Sequence, residues 1–138
     1  MRVIENFCLL LGRLLMGSYF ILPGLQKITS YQMMTDYMLS HNVPATAILL
    51  PITIVLQITL GLAIIVGFKG KIAAFILAGL TLVISIYMHN FWAMEEGLAR
   101  THEMQNFIKN MAIMGGLLVV SSLGTGWLSL DNRNQNTP

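Results

Sequence analysis

Charge is what this chain lacks most. Only 10% of its 138 residues are Asp, Glu, Lys or Arg, against roughly 25% in a soluble domain, so it cannot wet a surface of its own. The formal net charge of +2 is small and dispersed, which excludes the basic face that a nucleic-acid partner needs. Cysteine is nearly missing: Cys8 stands alone inside a hydrophobic run. No intrachain disulfide can form, and neither a CxxC nor a Cys/His zinc pattern exists, so no metal site is expected. Internal repeats and low-complexity tracts are also absent.

What the chain has in quantity is apolar side chain, 55% of all residues. A bilayer core of ~30 Å needs about 20 apolar residues of helix, and four stretches meet that need. They run from about Val3 to Leu25, Ala45 to Phe68, Ile72 to Trp92, and Phe107 to Leu123. The first is too long for a signal-peptide core and carries Arg13 with no small-residue cleavage site after it, so a retained span is expected. The links Gln26–Pro44, Lys69–Lys71 and Ala93–Asn106 are short, which makes successive helices antiparallel neighbours. The expected fold is therefore all-α: an integral membrane four-helix bundle of up-down topology, one domain over residues 1–131. The polar tail 132–138 is expected to be disordered. Basic residues at Arg2, Lys69, Lys71 and Arg133 favour both termini in the cytoplasm. In the first link, Thr29–Ser40 reads as a short surface helix capped by Ser30, with Met33, Met34, Tyr37 and Met38 towards lipid and Pro44 opening the next span.

Polar side chains inside the spans carry the functional signal, since each is costly in hydrocarbon and turns inward to find a partner. Arg13 lies midway along the first span, where an arginine costs ~2.5–3.5 kcal/mol on insertion scales. Helical spacing puts Gly17, Phe20, Gly24 and Lys27 on its face. Gln57 sits near the middle of the second span and is the expected partner of Arg13. On the third span Ser85, His89 and Trp92 share a face, with Asn90 beside them; on the fourth, Asn106, Lys109, Asn110 and Ile113 do so. The third helix runs outward and the fourth inward, so Lys27, His89, Asn90, Trp92, Asn106, Lys109 and Asn110 arrive at one level. Arg13 and Gln57 would form the floor beneath. Such a net-positive cluster suits an anionic or carbonyl-bearing headgroup. Read singly, Lys27, Lys109 and Trp92 are also ordinary interfacial anchors.

These residues carry a family resemblance as well. Gly12-Arg13-Leu14, Gly17, Phe20 and Gly24-Leu25-Gln26-Lys27 resemble the first-helix signature of the DoxX family of small bacterial membrane proteins. Gly61, Gly67-Phe68, His89-Asn90-Phe91-Trp92, Asn106-Phe107-Ile108-Lys109-Asn110 and the closing Gly124-Thr125-Gly126-Trp127-Leu128-Ser129-Leu130-Asp131 follow in the family's order. The resemblance implies a multi-pass protein of the bacterial inner membrane linked to redox complexes. Named members are associated with a thiosulfate:quinone oxidoreductase or with membrane thiol and superoxide defence. Where this chain has Gln57 the family commonly has a glutamate, which would pair with Arg13.

The leading functional expectation is a membrane subunit of a redox system. Quinone or a lipid headgroup would be held by His89 and Lys109, oriented by Asn106 and Asn110, with Trp92 and Phe91 as ring contacts. The chain shows no redox group of its own, so electrons would come from soluble or membrane oxidoreductase subunits. A small-molecule or lipid transport module would need a path through the bundle. A scaffold for other membrane proteins would have a self-satisfied cluster and no cavity. Met33, Met34, Met38 and His41 invite a Cu(I) reading, but methionine is also an ordinary filler of lipid-facing helices.

Overall fold

The structure, a computed structural model, describes residues 2–133. Six helices follow in order: α1 Arg2–Thr29, α2 Tyr31–Ser40, α3 Thr46–Val66, α4 Gly70–Met88, α5 Leu98–Leu123 and α6 Leu130–Arg133, with a single 3-10 turn at Phe91–Ala93 before α5. Four of them, α1, α3, α4 and α5, are long and apolar enough to cross a membrane. Together they form the expected all-α membrane bundle. α2 lies in the first link, where the short surface helix is expected. Ser30 occupies its N-cap position but makes no side-chain capping bond; the Ser30 carbonyl accepts from Met34 N instead. Of the polar tail, Asn132 and Arg133 close α6, their amides donating to Ser129 Oγ and Ser129 O. Residues 134–138 lie outside the described residues.

The bundle is built from two close pairs, α1 on α3 and α4 on α5, joined mainly through α3 and α4. Inside a bilayer, where lipid is as apolar as leucine, close packing rather than the hydrophobic effect holds helices together. Gly17 and Gly61 make the first pair possible: a Cβ on Gly17 would come 2.6 Å from the Gly61 carbonyl, and one on Gly61 would come 2.9 Å from the Gly17 carbonyl. Phe20, Ile64, Ala73, Ala74, Leu77, Ala78 and Leu117 fill the centre where the pairs meet. A second, smaller core of Met38, Val43, Leu50 and Ile54 fixes α2 against α3. Met38 is thus buried rather than turned to lipid, and Met34 packs inward beside it. α2 covers one end of the bundle, and its inward face is part of the core.

At the other end, which carries both termini, the closing motif has a definite task. After α5 the chain turns at Gly124 and Gly126, both at positive φ, and returns beneath the α3–α4 turn. The Asp131 carboxylate accepts from Lys69 N at 2.7 Å and Gly70 N at 2.8 Å, while Asp131 N donates to the Gly67 carbonyl at 2.8 Å. Asp131 thereby caps α4 across the chain, satisfying amides that have no partner within the helix. Lys69 holds a left-handed φ of 45° in this turn, a conformation costly for a residue with a Cβ. The two bonds from Asp131 bracket it.

Candidate functional site

Arg13 belongs to the clasped end. Gly17 meets Gly61, Gly24 meets Gln57 and Ile58, and Arg13 meets Gly67. Arg13 is therefore eleven residues, or about 16 Å of helix, from the level of Gln57. The expected Arg13–Gln57 pair does not form, and a glutamate at position 57 would not reach Arg13 either. The reason is register: α1 and α3 pack with Gly17 at Gly61 and Gly24 at Gln57, which leaves Arg13 at the level of Gly67. Arg13, 3% exposed, instead donates through Nη2 to the Leu128 carbonyl, with the Asp131 carboxylate within Coulombic range. Its Nε and Nη1 have no hydrogen-bond partner among the described residues. This guanidinium anchors the returning C-terminal segment and takes no part in the cluster at the far end.

The far end holds a half-open cavity of about 370 Å³. Lys27 on α1, Gln57 on α3, His89 at the C-cap of α4, and Lys109 and Asn110 on α5 all line it, as the sequence suggests. The remaining wall is largely apolar: Phe20, Pro23, Met34, Met38, Leu50, Ile84 and Met88. Its polar groups fall into two classes. Asn110 is committed to the fold, accepting from Tyr19 Oη at 2.9 Å and donating to Ser85 Oγ at 3.1 Å, which in turn donates to Thr81 O. That chain of bonds ties α1 to α5 and α4. Gln57, only 5% exposed, has an Oε1 with no hydrogen-bond partner among the described residues. Lys27 makes no hydrogen bond or ion pair among the described residues. An unpaired buried acceptor costs roughly 1–3 kcal/mol.

Three expected site residues lie elsewhere. Trp92 stacks edge-to-face with Phe91 and Phe107, at centroid distances of 5.3 and 5.6 Å. The shared helical face of Ser85, His89 and Trp92 fails because α4 stops at Met88, and the 3-10 turn redirects the chain. Asn90 sits at the start of that turn, its carbonyl accepting from Ala93 N. Asn106 accepts from Lys109 Nζ at 3.1 Å and reaches the site only through that lysine.

Four residues of the site were not legible as such in the sequence. Tyr19 enters through its bond to Asn110, and Tyr37 from α2 stands at the rim. Burial, and then the Glu103 carboxylate, raise the Tyr37 hydroxyl above its ordinary pKa, so it is a neutral hydroxyl at physiological pH. Thr81 lines the wall. Glu103 is bonded to His89, Nδ1 to Oε2 at 2.6 Å, with both side chains about one-fifth exposed. The signal for Glu103 was its position on α5, two helical turns before Asn110. It was obscured because hydropathy starts the fourth span at Phe107, whereas the helix starts at Leu98.

Known proteins place the chain. The DoxX family pattern matches residues 8–90. Over 131 residues the chain is 36% identical to the inner membrane protein YqjF of Escherichia coli K12, covering 95% of each. It is 30% identical over 125 residues to the inner membrane protein YphA of the same strain, covering 91% of this chain and 89% of that one. A Surfeit locus protein 4 homolog of Drosophila melanogaster is 26% identical over 132 residues, which are 95% of this chain but 42% of the fly protein. No solved structure matches. With four helices long and apolar enough to cross a membrane, the chain is a multi-pass membrane protein, and its two bacterial relatives are named as inner membrane proteins. The chain belongs to the DoxX family.

Proposed function

We propose that the protein is the membrane subunit of a redox system that holds the headgroup of a quinone-type amphiphile in the cavity opposite the termini, with both termini in the cytoplasm. One observation carries this reading: a largely apolar chamber whose polar points, Lys27 and Gln57 Oε1, have no hydrogen-bond partner among the described residues. The chamber has room for a substituted ring, and ligand sites in bundles are of this kind: apolar walls with a few convergent polar groups. Lys27 and Gln57 would bind the ring oxygens, Lys109 would stand at the rim, and Phe20 and the methionines would pack on the ring face. A bound quinone would supply the two-electron chemistry, and the electrons would pass to or from a partner oxidoreductase. Basic residues Lys69, Lys71 and Arg133 at the clasped end support the orientation.

The geometry disfavours the other two readings. A transport path would have to cross the central core of Phe20, Ile64, Leu77 and Leu117 and then the Arg13 clasp. A pure scaffold would have no need of a cavity or of an orphaned Gln57. Native mass spectrometry of gently purified protein, with lipid extraction, tests the proposal. A quinone or one enriched lipid should co-purify with wild type and be lost from Lys27→Met at unchanged thermal stability. Bulk lipid alone on wild type would overturn it.

A further inference from the structure

From the way the helices close around the cavity we infer that its ligand enters sideways from the bilayer, through the gap between α1 and α5, and leaves an apolar tail in the lipid there. This rests on the cavity being a headgroup site, and it names the door and the molecules that fit it: membrane-dissolved amphiphiles rather than water-soluble ligands. Close packing walls the chamber on three sides, α1 on α3, α3 on α4 and α4 on α5. α2 roofs it, held to α3 by Met38, Val43, Leu50 and Ile54, and Tyr37 on α2 lies within Coulombic range of Glu103 on α5. The contact that would complete the ring, α1 with α5, is not among the close pairs. Of the residues lining the cavity, only Tyr37 and Lys109 are exposed, and Tyr19, Pro23 and Lys27 on α1 are half-buried. The mouth therefore lies between α1 and α2 on one side and α5 on the other.

Two contacts cross the seam beneath that mouth. Tyr19 Oη donates to Asn110 Oδ1 at 2.9 Å, and the Met16 methyl sits 3.0 Å from where a Cβ on Gly116 would be. Towards the termini the same side of the bundle is shut more firmly, by Arg13 on the Leu128 carbonyl and by Leu9 against Gly126. Only the cavity end is left to widen, and α1 is weak at that place. Pro23 lies inside the helix and has no N–H, so the Tyr19 carbonyl lacks its helical partner. Leu15 and Leu22 share the helix face of Tyr19 and are exposed; on α5, Ala112 is exposed between Lys109 and Gly116. Together they offer a tail an apolar track. Size points the same way: about 370 Å³ is near the lower bound for ligand sites, room for a ring but not for a ring and a long tail. The Tyr19–Asn110 bond is the latch of this door.

The test uses the full-length protein in nanodiscs and a fully substituted benzoquinone whose decyl tail ends in a diazirine. After illumination, labelled positions are mapped by peptide mass spectrometry, with and without excess untagged decyl quinone. Label that the competitor removes is expected on α1 and α5 at the two sides of the seam, around Leu22 and Ala112. Tyr19→Phe keeps the ring and loses the latch. Binding and release of the untagged quinone, followed by stopped flow, should both quicken about two- to tenfold, the worth of one hydrogen bond, with the Kd held within about twofold. Faster release alone, at weaker affinity, would make Tyr19 a ligand contact and overturn the latch. Competed label confined to α2, α3 or α4 overturns the side door while leaving a headgroup site in place. If wild type shows no competed label anywhere, both the inference and the headgroup site fall.

Discussion

The two ends of this bundle were made from the same kinds of residue and came out opposite. At the end bearing the termini, a loop returns, a carboxylate caps a helix, and a buried arginine is drawn onto a carbonyl. At the other end, one asparagine closes a chain of bonds, but a lysine and a glutamine face a chamber with nothing to hold. Asp131 and Asn110 find their partners within the chain, whereas Gln57 Oε1 and, at the clasped end, Arg13 Nε and Nη1 have none among the described residues, which is a stability cost. The contrast predicts that substitutions at the clasped end cost stability, whereas those at the hollow end cost binding.

The largest effect is expected at Gly67. It sits at φ +68°, and an added Cβ would overlap both Arg13 Nη1 and Ser129. Gly67→Ala should lose about 2–5 kcal/mol, from ~1–2 kcal/mol of left-handed strain and ~1–3 kcal/mol of overpacking. Reversible unfolding in mixed micelles would measure it, and a loss below about 1 kcal/mol would show that the clasp is loose. Asp131→Asn comes next: one acceptor becomes an amide nitrogen that cannot accept from Lys69 or Gly70, at a cost of about 1.5–3 kcal/mol. The same unfolding assay applies, and an unchanged midpoint would mean that the clasp does not need the carboxylate.

Gln57→Leu should break the pattern in sign. It removes an unpaired buried acceptor, so the protein should become more stable by about 1 kcal/mol while losing its ligand. Destabilisation there would mean that Gln57 is a structural residue. The smallest effect belongs to Lys27→Met, which should move the unfolding midpoint by less than about 0.5 kcal/mol and be seen only in ligand retention. If it unfolds the protein instead, the two ends are not different in kind.

Much of this was legible in the linear chain. The four spans follow from run length against bilayer thickness. The up-down order follows from the short links, and the meeting of Lys27, Gln57, His89, Lys109 and Asn110 follows from helix spacing and alternating direction. What failed did so for definite reasons. Trp92 was placed by extending a helical face past Met88, where the helix ends. Arg13 was matched to Gln57 by fractional depth, although antiparallel helices can slide by several turns without changing either hydropathy profile. Glu103 was missed because hydropathy marks where lipid begins and not where a helix does.

The sequence by itself thus determined that the chain has four spans, and it suggested a part of the polar cluster, Lys27, Gln57, His89, Lys109 and Asn110, at one end of the bundle. Length, apolar run and the handedness of a helix leave no other answer. Only the tertiary structure decided which of those groups are satisfied. A hydrogen bond needs a donor and an acceptor about 3 Å apart, whereas the register of α1 on α3 and the return of the C-terminal segment move side chains by many times that distance. On that scale Arg13 became a clasp and Gln57 was left facing an open chamber.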